Sequence, residues 1–170
     1  SDGYKGNQDI VMLGTTTADY NDELKITVTA PQATADLTLK KTTSGNGATA
    51  DGEWKFKVTL KDKDDKPLAG LKLGAKKANG NEYKTNDEGV VTVTVKAGNT
   101  TGVVLKNIPI GAKYKVEEVN AGKYGYTTTG QVTEQTELLK KGATVTINND
   151  RGVGSLSLTK ALAGDAAGLD

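Results

Sequence analysis

One short stretch constrains this chain more than any other: Leu37-Thr38-Leu39-Lys40-Lys41, a strand pattern that turns a lysine toward the core. Successive side chains of a strand point to opposite faces, so if Leu37 and Leu39 face inward Lys41 does too, while Thr38 and Lys40 face water. An ammonium taken out of water without a partner is strongly unfavourable, and an inward lysine therefore demands a compensating group. Two later stretches end an apolar row in the same way. Tyr114-Lys115-Val116-Glu117-Glu118 puts Tyr114, Val116 and Glu118 on one face, and Val145-Thr146-Ile147-Asn148-Asn149 does so for Val145, Ile147 and Asn149. A lysine, a carboxylate and a carboxamide are the groups needed to join two side chains by an amide bond. Taken singly, each has an ordinary use: Lys41 can snorkel, Glu118 can form a salt bridge with it, and Asn149 can cap a turn.

The rest of the chain supplies more strands and many turns. Leu24, Ile26 and Val28 alternate with polar residues, predicting a strand that ends at Ala30-Pro31, where a proline that cannot donate to a ladder suits a strand end. Trp54 to Leu60 carries the strongest period-two signal, with Trp54, Phe56, Val58 and Leu60 inward. Further strands are expected at Leu71–Leu73, at Glu82–Thr85 after the Asn79-Gly80 hairpin signal, at Val91–Val95, at Val103–Leu105 and at the Tyr114 and Val145 rows. A threonine-rich edge strand should follow Tyr124-Gly125-Tyr126. No segment sustains a helical period, so the expected fold is all-β, an Ig-like β-sandwich.

Charge and residue usage exclude several functions. With 22 basic against 21 acidic residues there is no basic excess to favour nucleic acid, and with no histidine or cysteine the usual transition-metal ligand sets are missing. No cofactor is expected. Lys61-Asp62-Lys63-Asp64-Asp65-Lys66-Pro67 resembles a calcium loop only in its aspartates; it lacks the glycine and terminal glutamate of an EF-hand, its lysines oppose a dication, and a solvated turn is the expectation. Apolar runs are too short for membrane insertion or a signal-peptide core, and the chain reads as a soluble, mature piece; the absence of cysteine excludes disulfides and fits a secreted protein stabilised in some other way, as it also fits many cytosolic proteins.

An internal repeat sets the expected boundaries. Ile26-Thr27-Val28-Thr29-Ala30, a six-residue link and Leu37-Thr38-Leu39-Lys40-Lys41 align without a gap on Val145-Thr146-Ile147-Asn148-Asn149, a six-residue link and Leu156-Ser157-Leu158-Thr159-Lys160. Each block would join the last strand of one domain to the first of the next. The expected division is therefore residues 1–30 as the end of a preceding repeat, 31–152 as a complete domain, and 153–170 as the first strand of a following repeat.

Taken together, Leu37 to Lys41 followed by Ser44-Gly45, the Trp54 strand, Asn107-Ile108-Pro109-Ile110-Gly111, Tyr114 to Val119 and Val145 to Asn149 resemble Gram-positive pilin and surface-adhesin domains with self-formed isopeptide bonds. The nearest pattern is that of the streptococcal pilin isopeptide linkage domain and its collagen-adhesin B-type relatives. The resemblance spans most of residues 35–150 and implies a collagen-adhesin B-type sandwich in which Lys41 is the nucleophile, Asn149 the electrophile and Glu118 the catalytic acid. Asn148 is the alternative carboxamide; strand parity favours Asn149. Burial would favour the neutral amine and the neutral acid, allowing Lys41 to attack the carboxamide carbon while Glu118 bonds the carboxamide oxygen and relays protons to the departing ammonia. The reaction would be a single turnover and the chain no enzyme toward outside substrates. The implied role is a tandem-repeat shaft or stalk domain of a pilus or adhesin at the bacterial surface and cell wall, joined end to end to neighbouring repeats or pilin subunits. The alternative is an adhesin module that binds host surface molecules through its loops, but those loops lack an aromatic cluster to anchor a partner.

Overall fold

A period-two apolar pattern is only half a specification, since each buried strand face still needs a second layer against which to pack. The computed structural model describes residues 26–28, 30–50 and 52–153. The chain divides after Pro31 into two units, and the ten strands described all belong to the second. In order they are β1 (Thr34–Ser44), β2 (Glu53–Lys61), β3 (Lys72–Lys76), β4 (Glu82–Lys84), β5 (Val90–Lys96), β6 (Val103–Pro109), β7 (Lys113–Glu118), β8 (Thr127–Thr129), β9 (Val132–Glu137) and β10 (Ala143–Asp150). One four-stranded sheet has the order β6-β1-β10-β8, a second β5-β2-β7-β9, and a β3-β4 hairpin forms a small third sheet. No helix occurs among the described residues, and none is therefore long and apolar enough to cross a membrane.

The two large sheets bury the rows that alternation predicts. Leu37, Leu39, Val145 and Ile147 come from one, Phe56, Val58, Val93 and Val116 from the other, and all are buried in a single cluster. The β3-β4 hairpin adds Leu73 and Tyr83 to that cluster. Its turn is shaped by Asn79, whose side-chain oxygen accepts from the Asn81 N–H, and by Gly80 at φ +89°, a conformation that a residue without Cβ adopts at little cost.

The pairing that most affects function is between the first and last strands. β1 and β10 lie side by side and parallel, with Leu39 opposite Val145, Lys41 opposite Ile147 and Thr43 opposite Asn149. Parallel neighbours cannot be joined by a tight turn, so the remaining eight strands serve as the crossover between them.

Three sequence expectations change. β9 was not foreseen, because its only apolar residue is Val132 and five of its six positions are exposed; pairing with β7, not a buried row, makes it a strand. β6 runs on through Pro109, which ends it in register with Thr34. Ile26–Val28, read as a strand, are outside any ladder, and Ile26 and Val28 are exposed. Residues 1–25 and 154–170, which hold Leu24, Lys160 and most of the two flanking partial repeats, lie outside the described residues. In the charged turn, the Asp62 carboxylate accepts from the backbone N–H groups of Asp64 and Lys66, and these bonds hold its carboxyl below the usual aspartate range.

Candidate functional site

Lys41, Glu118 and Asn149 meet at one end of the core. β1 carries Lys41 inward beyond Leu37 and Leu39, β10 carries Asn149 inward beyond Val145 and Ile147, and β7 brings Glu118 from the facing sheet, where it pairs with Phe56. All three are buried, Lys41 at 1% exposure, Asn149 at 2% and Glu118 at 6%. The Lys41 Nζ donates to Glu118 Oε1 at 2.6 Å, and the Asn149 Nδ2 donates to Glu118 Oε2 at 2.8 Å. One carboxylate thus holds the amine and the carboxamide on its two oxygens.

The neighbours tune this arrangement. Burial pulls the Lys41 amine below the ordinary lysine value of 10.5, against the hydrogen bond and charge of Glu118, which act to raise it. A dry ion pair gains little net stability over a neutral one, because desolvation of two charges offsets their attraction. Across the 2.6 Å hydrogen bond the proton needs to move only a short way for both groups to become neutral. Lys41 Nζ also lies 4.9 Å from the centroid of the Trp54 ring, and Trp54 meets Tyr126 edge to face at 6.4 Å. Tyr126 is held by the Thr49 N–H, which donates to its hydroxyl, and by the Arg151 guanidinium 5.5 Å from its ring. Beside Glu118 and Asn149, and bounded by Trp54, Tyr124 and Tyr126, a recess of about 320 Å³ opens toward solvent. It offers a small molecule such as ammonia a way out.

Asn148 lies on the opposite side of β10 from Asn149. Its Oδ1 accepts from Thr42 Oγ1 at 2.7 Å and its Nδ2 donates to Ser44 Oγ at 3.0 Å, both exposed bonds between neighbouring strands. Strand parity therefore separates the two asparagines as expected. Glu118 differs in one respect from the sequence expectation: it contacts the carboxamide nitrogen, and the carboxamide oxygen accepts from Thr128 Oγ1 at 2.7 Å. A carboxylate can only accept, so it takes the NH₂ end and leaves the oxygen to a donor. Sequence reasoning missed Thr128, together with Gln131, whose side-chain oxygen accepts the Glu118 backbone N–H. Neither has a signal in spacing or pattern; both belong to polar edge segments that only the strand pairing brings to the site. Among the described residues, no group of three or more acidic side chains is arranged to hold a metal ion.

A family model described as a domain of unknown function (DUF7601) matches residues 35–151. No match was found among curated proteins. Among solved structures the chain is similar to the pilus-presented adhesin Spy0125 (Cpa), with 21% identity and a TM-score of 0.59 over 72% of this chain and 28% of that one. It is similar to the major pilin from Streptococcus pyogenes at 24% identity and a TM-score of 0.55, over 71% of this chain and 49% of the pilin. A major pilin (T3.2) from Streptococcus pyogenes serotype GAS13637 shares 27% identity with a TM-score of 0.51, over 70% of this chain and 45% of that one. In each case this chain spans less than half the length of the other protein. The shared element is an Ig-like β-sandwich of the pilin kind.

Proposed function

The chain belongs to the DUF7601 family, and from the geometry of its buried Lys–Glu–Asn cluster we propose that it is a shaft or stalk domain of a bacterial surface pilus or adhesin, locked by a self-formed amide bond between Lys41 and Asn149. The observation that carries this reading is the bridging carboxylate: Glu118 holds Lys41 Nζ at 2.6 Å and Asn149 Nδ2 at 2.8 Å, with all three side chains buried. Similarity to pilin and pilus-adhesin structures supports the cellular role, and on this reading the domain lies outside the cell, in line with neighbouring subunits or repeats.

The chemistry follows from the contacts. Glu118 Oε1 takes a proton from the Lys41 ammonium and leaves a neutral amine, whose lone pair attacks Asn149 Cγ. In the tetrahedral adduct the Nζ–Cγ bond has formed, the nitrogen carries positive charge and the former carbonyl oxygen carries negative charge. The Glu118 acid group turns to present that proton to Nδ2, the Cγ–Nδ2 bond breaks, and ammonia departs. The proton lost by Nζ as it becomes an amide nitrogen returns to Glu118, so the products are the amide, ammonia and the protonated acid, and charge balances throughout. Folding brings the reactants into contact, and this effective concentration replaces an external catalyst. One turnover consumes the site, so the domain acts on no outside substrate.

The β1–β10 pairing gives the bond a mechanical meaning. Because the strands are parallel, the chain enters at the Thr34 end and leaves at the Asp150 end. Tension along that path would run through β1 to Lys41, across the new amide to Asn149, and out through Asp150. Residues 42–148 would carry none of it, so the sandwich would not have to unzip.

Intact mass tests the reading directly. The purified chain should weigh one ammonia less than its sequence, and digestion should yield a branched peptide joining Lys41 to Asn149. Glu118→Ala should restore the full sequence mass while keeping a β-rich circular-dichroism spectrum. A full-mass native protein, or a branch at Asn148, would overturn the assignment.

A further inference from the structure

The Asn149 oxygen must accept negative charge if the amide forms, and Glu118 is on the wrong atom to receive it. The geometry points to Thr128 as the oxyanion donor of the crosslinking reaction, an inference that rests on the Lys41–Asn149 bond proposed above. Thr128 lies directly opposite Asn149 in the antiparallel pairing of β8 with β10, so the two side chains share a face. Its hydroxyl donates to Asn149 Oδ1 at 2.7 Å.

The direction of that bond is set by a second contact. The Gly122 N–H donates to Thr128 Oγ1 at 2.9 Å, occupying a lone pair and leaving the single hydroxyl proton for Asn149. Gly122 lies in the turn that leaves β7 four residues after Glu118, at φ +75°, so the segment that positions the proton relay also orients the oxyanion donor. The result is a division of labour on one carboxamide. Glu118 holds the nitrogen that must leave, and Thr128 holds the oxygen that must gain charge. A donor fixed before reaction stabilises the adduct without reorganising, and removal of one such donor in other acyl-transfer sites slows reaction by about 10²–10³.

The test is the rate of ammonia loss after synthesis. The full 170-residue chain is produced by cell-free translation and its intact mass followed with time. Thr128→Val, which keeps the shape and removes the hydroxyl, should slow the mass loss by at least about tenfold, toward the range seen for other oxyanion donors. Thr128→Ser, which keeps the hydroxyl, should recover most of that loss. Thermal melting of Thr128→Val in a Lys41→Ala background, where no bond can form, reports what the substitution does to folding alone. If the valine variant fails to fold, the rate ratio of Thr128→Ser to Thr128→Ala carries the same test, since both are smaller than threonine and differ from each other by the hydroxyl. Reaction of Thr128→Val at the native rate, or a serine variant as slow as the valine or alanine one, would overturn the role of Thr128 and leave the bond itself standing. Failure of the native chain to lose ammonia would overturn both.

Discussion

Replacing Asn149 by alanine removes the proposed electrophile and leaves the Lys41–Glu118 hydrogen bond in place, so its effect on stability can be built from few terms. The lost amide would have closed a loop from β1 to β10. Chain-entropy reasoning puts the stabilisation from closing a loop of roughly 100 residues at about 4–5 kcal/mol. The Thr128 hydroxyl would lose the carbonyl oxygen that accepts its proton, at a cost of about 1–3 kcal/mol for a group kept from water. The sum, about 6 kcal/mol, corresponds to a fall in melting temperature on the order of 20 °C for a domain of this size. Differential scanning calorimetry on the native chain and Asn149→Ala measures it, with intact mass recorded on the same samples. Asn148→Ala is the matched control: Asn148 lies on the outer face, where its exposed bonds to Thr42 and Ser44 are worth about 1 kcal/mol, and ammonia loss should persist. A native protein that lacks one ammonia yet melts within a few degrees of Asn149→Ala would refute the loop-closure argument.

Two further outcomes follow from the same contacts. In Asn149→Ala, Lys41 stays a free amine whose pKa is lowered by burial from 10.5, so the unfolded chain binds more protons than the folded one between the two values; stability should rise with pH through that window up to about 10.5, whereas in the crosslinked native protein Lys41 no longer titrates and this rise should be absent from paired melting curves. Gly130→Ala places a Cβ against the Thr146 backbone oxygen at φ +94° and should destabilise the domain by about 1–3 kcal/mol in urea titration, with faster hydrogen exchange in β8.

What the sequence determined by itself is what depends on alternation alone. Leu37, Leu39 and Lys41 share a face, as do Tyr114, Val116 and Glu118, and Val145, Ile147 and Asn149, because the period of two is a property of each strand and needs no partner. That parity also separated Asn149 from Asn148. The all-β sandwich was legible for the same reason, since the buried rows were long enough to imply two facing layers. Other features required the tertiary structure, because they depend on which strands become neighbours. Parallel β1 and β10 bring Lys41 opposite Ile147, two residues from Asn149 on the same face. Packing of the second sheet sets Glu118 between them with one oxygen toward each. β9 owes its existence to hydrogen bonds with β7, and Ile26–Val28, despite their alternating pattern, pair with no strand among the described residues. Thr128 shows the difference most plainly: in sequence it is one threonine of three on a polar edge, and only the pairing of β8 with β10, together with the N–H of Gly122, aims its hydroxyl at the atom that would receive the charge.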